Sequence, residues 1–173
     1  MRPDRVARFE QLILPHLDAG YTLARYLLRH EHDAQDVTQD AALRAYRHFD
    51  TYRDGDPRAW FLAIVRNCCF TWLKKGRDRA TAPMLPYLDR VPDPSREADA
   101  LALTNSDRAA IQRAVADLAP EFREVIVLRE LQELSYAEIS VVIDAPIGTV
   151  MSRLSRARKR LAERLGGLID KAS

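Results

Sequence analysis

Pro83, Pro86, Pro92 and Pro94 fall within twelve residues near the middle of the chain. Proline fixes φ, removes a backbone donor and clashes with the preceding turn, so Gly76 to about Ser95 reads as a linker. On both sides of it apolar residues recur at the helical spacing, and neither flank holds a convincing alternating run of β-branched residues. The expected fold is all-α. Two small helical domains, over 1–76 and 108–173, are joined by a flexible, acidic, Pro-rich linker over 77–107. A length of 173 residues allows one medium domain or two small ones.

Hydrophobic residues at 47% and charged residues at 30% suit a folded protein and are too apolar for a disordered chain. The longest charge-free stretch, Ala80 to Leu88, is nine residues with two prolines. A membrane span needs about 18–20 apolar residues, so no membrane insertion is expected. Met1 to Glu10 alternates charge with apolar residues and lacks the core of a secretory signal, which implies a cytoplasmic protein.

The adjacent Cys68 and Cys69 cannot supply the spaced pairs of a zinc site or a disulfide framework and read as core residues. His16, His30, His32 and His48 have no accompanying ligand motif and read as surface or helix-end residues. Glycine-rich phosphate loops, G-x-S-x-G and H-E-x-x-H are absent. No catalytic residue, metal or cofactor is expected, and the chain is not read as an enzyme.

In the first block, Phe9, Leu12, Ile13, Leu17, Leu23, Tyr26 and Leu27 mark amphipathic stretches, with Pro15 and Gly20 expected to kink or interrupt them. After a turn at His30 to His32, Asp33 is expected to cap a helix. Its Ala34, Val37, Ala41, Ala45 and Phe49 face inward, and Asp36, Gln39, Asp40, Arg44 and Arg47 face out. On pattern alone, the acids at its start could simply match the helix dipole. A polar segment over Asp50–Pro57 leads to a helix from about Arg58 to Lys75, crowded with Trp60, Phe61, Ile64, Phe70, Trp72 and Leu73. Aromatics among basic groups can stack on unpaired bases, yet such a stripe is more often core.

The second block is more specific. Pro120 suits the first position of a helix that buries Phe122, Val125, Ile126, Leu128 and Leu131. Ser135-Tyr-Ala-Glu138 is a capping box opening a short helix, followed by a tight break at Asp144-Ala145-Pro146. In the next helix Ile147, Val150, Met151, Leu154, Ala157 and Leu161 share an apolar arc, and Thr149, Ser152, Arg153, Arg156 and Arg160 lie opposite. This is the helix-turn-helix arrangement, whose second helix enters the DNA major groove. Gly148 to Arg164 carries six basic residues and one acid in a chain of net charge +2, concentrating charge where phosphates would lie. A merely solvated basic helix would need neither the capping box nor the tight turn before it.

These residues carry a family resemblance. Leu118-Ala-Pro-Glu-Phe-Arg-Glu-Val-Ile-Val-Leu128, Leu134-Ser-Tyr-Ala-Glu-Ile139 and Pro146-Ile-Gly-Thr-Val-Met-Ser-Arg-Leu-Ser-Arg-Ala-Arg158 resemble the sigma-four domain of bacterial RNA polymerase sigma factors. Asp33-Ala-Gln-Asp-Val-Thr-Gln-Asp40 resembles the sigma-two helix that docks on the polymerase clamp, and Trp60-Phe-Leu-Ala-Ile-Val-Arg-Asn67 resembles the promoter-melting helix. With only these two domains, the pattern is similar to the extracytoplasmic-function group.

The resemblance implies a promoter-specificity subunit whose partners are core RNA polymerase (the beta-prime clamp and the beta flap), promoter DNA and an anti-sigma factor. Asp36, Gln39 and Asp40 would contact the polymerase. Tyr52, Arg53, Asp54, Asp56, Trp60, Arg66 and Asn67 would recognise and melt the minus-10 element and hold an unstacked base. Thr149, Ser152, Arg153, Arg156, Lys159 and Arg160 would read the minus-35 element. The chain departs from the family at Asp144, usually glycine, and at Thr71, usually aspartate. Asp tolerates a left-handed backbone, so the turn is expected to survive. Two other classes explain less: an ordinary helix-turn-helix regulator leaves the acidic and aromatic helices unassigned, and a sigma-like decoy has no need of the basic helix.

Overall fold

The computed structural model describes residues 3–79 and 105–172, all of whose regular elements are helical. In the first half, α1 (Pro3–Leu12) gives way to a 3₁₀ turn at Leu14–His16, where Pro15 cannot continue an α-helix. The chain resumes as α2 (Leu17–Leu28), which ends as Arg29 turns left-handed at φ 60° and returns its amide to the Arg25 carbonyl. Only Arg29 and His30 separate it from α3 (Glu31–Arg47), a tighter junction than the turn expected over His30 to His32. The cap of α3 is His30 and not Asp33. His30 has the extended backbone of a cap and its ring nitrogen accepts from the Asp33 amide, while Asp33 already lies in the first turn. A short 3₁₀ turn at Phe49–Thr51 then leads to α4 (Pro57–Arg79), which runs past Gly76, where the linker was expected to begin.

Ile13, Leu23, Leu27, Phe61, Leu62 and Val65 are fully buried between α2, α3 and α4, each worth about 1.5–3 kcal/mol of burial. Gly20 does not kink α2. It sits inside the helix at the point of closest approach to α4, where a Cβ would meet the Phe61 ring at 2.8 Å and the Val65 methyl at 3.1 Å. Phe9 makes edge contacts with Tyr46 and Phe49, and Tyr52 lies between Phe49 and Trp60. The aromatic stripe of α4 is therefore core at Phe61 and half-buried at Trp60, Phe70 and Trp72. Cys68 and Cys69 are also buried, and burial pushes both thiols up.

The second half comprises α5 (Asn105–Ala116), α6 (Pro120–Ile126), α7 (Tyr136–Ile143) and α8 (Ile147–Ala172). Pro120 occupies the start of α6 as expected. Beyond Ile126 the helix widens into a π turn over Val127–Leu131, closed by the Gln132 amide on the Val127 carbonyl and the Leu134 amide on the Leu128 carbonyl. Val125, Leu128, Leu134, Ile139, Val150, Leu154 and Ala157 form the core. Ile147 and Met151, placed on the same apolar arc by periodicity, are instead about half exposed.

The two halves pack together, α7 lying against α4 and α6 against α2, with their cores in one cluster. Polar contacts pin this junction. Arg123 of α6 donates to the Tyr26 and Leu27 carbonyls at the end of α2, at 3.0 and 2.9 Å. The Gln132 side chain donates to the Ala19 carbonyl at 2.8 Å, and Arg58 of α4 donates to the Gln132 carbonyl at 3.2 Å. Burial lowers the Arg123 guanidinium to about 10, aided by nearby Arg29.

Candidate nucleic-acid and polymerase interfaces

The helix-turn-helix is built as its residues predict. The Ser135 hydroxyl accepts from the Glu138 amide at 3.1 Å, and the Ser135 amide donates to the Glu138 carboxylate at 2.6 Å. The backbone bond from Ser135 holds the Glu138 carboxyl below its ordinary range. At the end of α7, Asp144 turns left-handed at φ 51°, ψ 54°. The Ala145 amide bonds back to the Ser140 carbonyl, and the Pro146 carbonyl accepts from Thr149 and Val150 to start α8. A turn whose usual glycine is replaced by aspartate thus keeps its geometry.

The predicted minus-35 residues all lie between Thr149 and Arg160 of α8, but not all point outward. Ser152, Arg156, Lys159 and Arg160 are exposed, and Thr149 is half-buried. Arg160 spreads over the Phe122 ring at 4.4 Å, a contact that holds its stem while leaving the head in solvent. Arg153 reaches back to the Glu124 carboxylate of α6 at 3.7 Å. Arg158 pairs with Glu130 at 2.8 Å.

On the first half, Asp36, Gln39 and Asp40 are all exposed on one face of α3, whose expected inner residues Ala34, Val37, Ala41 and Ala45 are all buried. Asp40 has only a loose ion pair with Arg44, at 3.7 Å between two exposed side chains.

The predicted minus-10 residues separate into three groups. Trp60 and Asn67, two turns apart on α4, line one cavity of about 280 Å³ together with Arg44, His48, Thr51, Ile64 and Cys68. Arg53 and Asp54 stand exposed in the preceding loop. Tyr52, Asp56 and Arg66 are occupied within the chain. The Tyr52 hydroxyl donates to the Gly55 carbonyl at 2.7 Å, tying the loop to itself. The Asp56 carboxylate accepts from the Arg58 amide at 3.0 Å, at the start of α4. Arg66 forks onto both oxygens of Glu124, at 2.8 and 3.1 Å, with its guanidinium over the Phe70 ring at 4.2 Å.

Sequence reasoning passed over Glu124, which is fully buried yet bound by two of the predicted DNA-contacting arginines. Burial pushes its carboxyl up, and the hydrogen bonds and charges of Arg66 and Arg153 oppose that rise. Arg44 and His48 were likewise missed as cavity walls; their one-turn spacing on the polar side of α3, facing Trp60, was the available signal. Among the described residues no group of side chains could hold a metal ion, and no helix is long and apolar enough to cross a membrane.

Fold and surfaces together define a class: a two-part helical protein carrying a helix-turn-helix and an aromatic, cavity-bearing bundle. Two family models match it, sigma-70 region 2 over residues 12–79, the bundle, and sigma-70 region 4 over residues 108–161, which hold the helix-turn-helix. The chain is 36% identical to the ECF RNA polymerase sigma factor SigM of Mycobacterium tuberculosis, over 95% of this chain and 80% of that one. It is 34% identical to SigE of Mycolicibacterium smegmatis, over 91% of this chain, and spans 61% of that longer relative. A solved structure of the sigma factor RpoE in complex with the anti-sigma factor NepR from Bartonella quintana matches with a TM-score of 0.76 at 26% identity, covering 92% of this chain and 97% of that one. The chain belongs to the extracytoplasmic-function (ECF) sigma factors of the sigma-70 family, transcription-initiation factors and not enzymes.

Proposed function

We propose that this protein directs core RNA polymerase to its promoters by reading a minus-35 element with α8 and opening a minus-10 element against α4. The observation that carries the proposal is the exposed row Ser152, Arg156, Lys159 and Arg160 on a helix fixed in place by a capping box and a left-handed turn. Arginine can pair bidentately with guanine in the major groove, and the row's charge meets the phosphates. The cavity beside Trp60 and Asn67 supports capture of an unstacked base, because it joins an aromatic face to polar groups. The exposed Asp36, Gln39 and Asp40 face supports docking on the beta-prime clamp, with the second half meeting the beta flap. Residues 1–76 and 108–173 act as the two working domains, with 77–107 between them, in the cytoplasm beside the polymerase.

An anti-sigma factor is the proposed controlling partner. A match confined to either half of the chain could not reach a TM-score of 0.76, so RpoE, solved in its anti-sigma complex, has both halves in a similar relation. CnrH, solved with the cytosolic domain of CnrY, is a further neighbour, at a TM-score of 0.61.

Transcription with reconstituted holoenzyme on matched promoters tests the proposal. Arg156→Ala is expected to lower output from the preferred minus-35 sequence about tenfold, the low end of one bidentate base contact. Equal output from preferred and scrambled minus-35 sequences with the unaltered protein would refute the assignment.

A further inference from the structure

Two residues at the end of α3 face the aromatic side of α4. Arg44 and His48, one turn apart, line the cavity of about 280 Å³ together with Trp60 and Asn67. Backbone bonds fix where both stand. The His48 amide donates to the Arg44 carbonyl at 3.0 Å, and the His48 carbonyl accepts from the Thr51 amide at 2.8 Å and the Thr51 hydroxyl at 2.7 Å. Their side chains are left uncommitted. Arg44 has only its loose pair with Asp40, at 3.7 Å between side chains 51% and 63% exposed. The His48 ring and the Asn67 side-chain amide have no polar partner among the described residues.

We infer that Arg44 and His48 select which base the cavity holds, and that this base is a guanine or a cytosine. This rests on the promoter reading proposed above, and gives the sequence preference of the minus-10 surface to a helix otherwise assigned to polymerase docking.

The chemistry of the walls carries the choice. Stacking on Trp60 accepts any base, because every base has a π face, so identity must come from the polar groups around it. Those groups are rich in donors: the guanidinium of Arg44 only donates, while His48 and Asn67 each add a donor and an acceptor. A guanidinium fork discriminates where two acceptors stand side by side. Guanine offers O6 and N7, and an unpaired cytosine offers O2 and N3. Adenine and thymine interrupt every such pair with an N–H or a C–H. The exocyclic amines of guanine and cytosine then need an acceptor, which the Asn67 carbonyl oxygen or the His48 ring supplies.

The test uses holoenzyme reconstituted with saturating full-length chain, on templates whose minus-10 region is already unpaired. Each unpaired position is changed in turn to the four bases and to an abasic site, and affinity is read by competition. The captured position is the one whose base preference Asn67→Ala weakens. There the unaltered protein should favour guanine or cytosine over adenine and thymine about tenfold, the low end of one bidentate contact. Arg44→Ala and Arg44→Lys should both reduce that ratio to within about twofold, since an ammonium keeps the charge but not the fork. His48→Ala should lower it about threefold, as loss of one hydrogen bond does. On the abasic template Arg44→Lys should bind as the unaltered protein does. Weaker binding by both Arg44 variants on every template, abasic included, makes Arg44 a phosphate or packing residue and overturns the inference. So does an adenine or thymine preference at the captured position, or a ratio unchanged in both Arg44 variants, and each of these leaves the promoter reading standing. A flat response at every unpaired position would overturn base capture itself, together with the inference.

Discussion

The outer face of α3 and the polar side of α4 belong to neighbouring helices of the same half, yet they are used in opposite ways. On α3, Asp36 and Gln39 are exposed without a polar partner among the described residues, and Asp40 touches only Arg44 one turn away. On α4, Arg58 and Arg66 are both engaged by the second half, through the Gln132 carbonyl and the Glu124 carboxylate. The face proposed to meet polymerase is open in the packed chain, and part of the surface proposed to meet DNA is closed. The difference teaches that exposure and charge alone do not mark a free surface: the acids of α3 are left to solvent, whereas two arginines of α4 are engaged by the second half.

The largest expected effect sets these faces apart by stability. Glu124→Ala leaves two guanidiniums without their shared partner and should cost about 3 kcal/mol in urea unfolding. Asp36→Ala should stay within about 0.5 kcal/mol, as an exposed residue does. Similar losses for the two would erase the contrast.

The next reverses the ranking. Asp36→Arg should lower affinity for core polymerase about tenfold, or about 1.4 kcal/mol, with unchanged helicity and unfolding midpoint. A core-binding titration beside circular dichroism measures both. Unaltered affinity would return Asp36 to the role of matching the dipole at the helix start.

The smallest effect compares two glutamates of the second half. Ser135→Ala should cost about 1 kcal/mol through loss of the cap. Glu138 is held below its ordinary value near 4.5, mainly by the Ser135 amide. Its contribution is therefore present above that value and lost as pH falls through its folded one. Glu124 has the opposite sign: burial raises its carboxyl, so the folded state takes up a proton more readily and acid does not remove stability through it. Acid unfolding followed with and without Glu138→Gln should show a smaller acid-side loss in the variant, because glutamine has no carboxylate to protonate while the Ser135 amide keeps an acceptor.

What could be read in advance was local. The inner residues of α3, the Ser135 capping box and the left-handed Asp144 each follow from a few neighbouring residues and one period, and each stands where the sequence puts it. The cap of α3 moved from Asp33 to His30 because a cap is decided by which residue leaves the helical backbone, and both have a side-chain acceptor. Ile147 and Met151 obey the period but lie outside the area that α6 and α7 cover, so spacing alone overstated the core. Arg66 and Glu124 are 58 residues apart, and no period links them. Phe122-Arg-Glu-Val-Ile-Val-Leu128 reads as an apolar run interrupted by two charges, and what makes both charges tolerable is supplied largely by the other half of the molecule.

Gly20 carries the comparison into heredity. It has no side chain to touch polymerase, DNA or the second half, yet any replacement must displace the Phe61 ring or part α2 from α4, and α4 carries Trp60, Arg66 and Asn67 on the same helix. A lineage can drift at Arg53 or Asp54 without disturbing the scaffold, but at position 20 even alanine crowds Phe61 and Val65 on the helix that carries those groups. A geneticist collecting defective alleles would find promoter-opening phenotypes at a residue that meets no promoter.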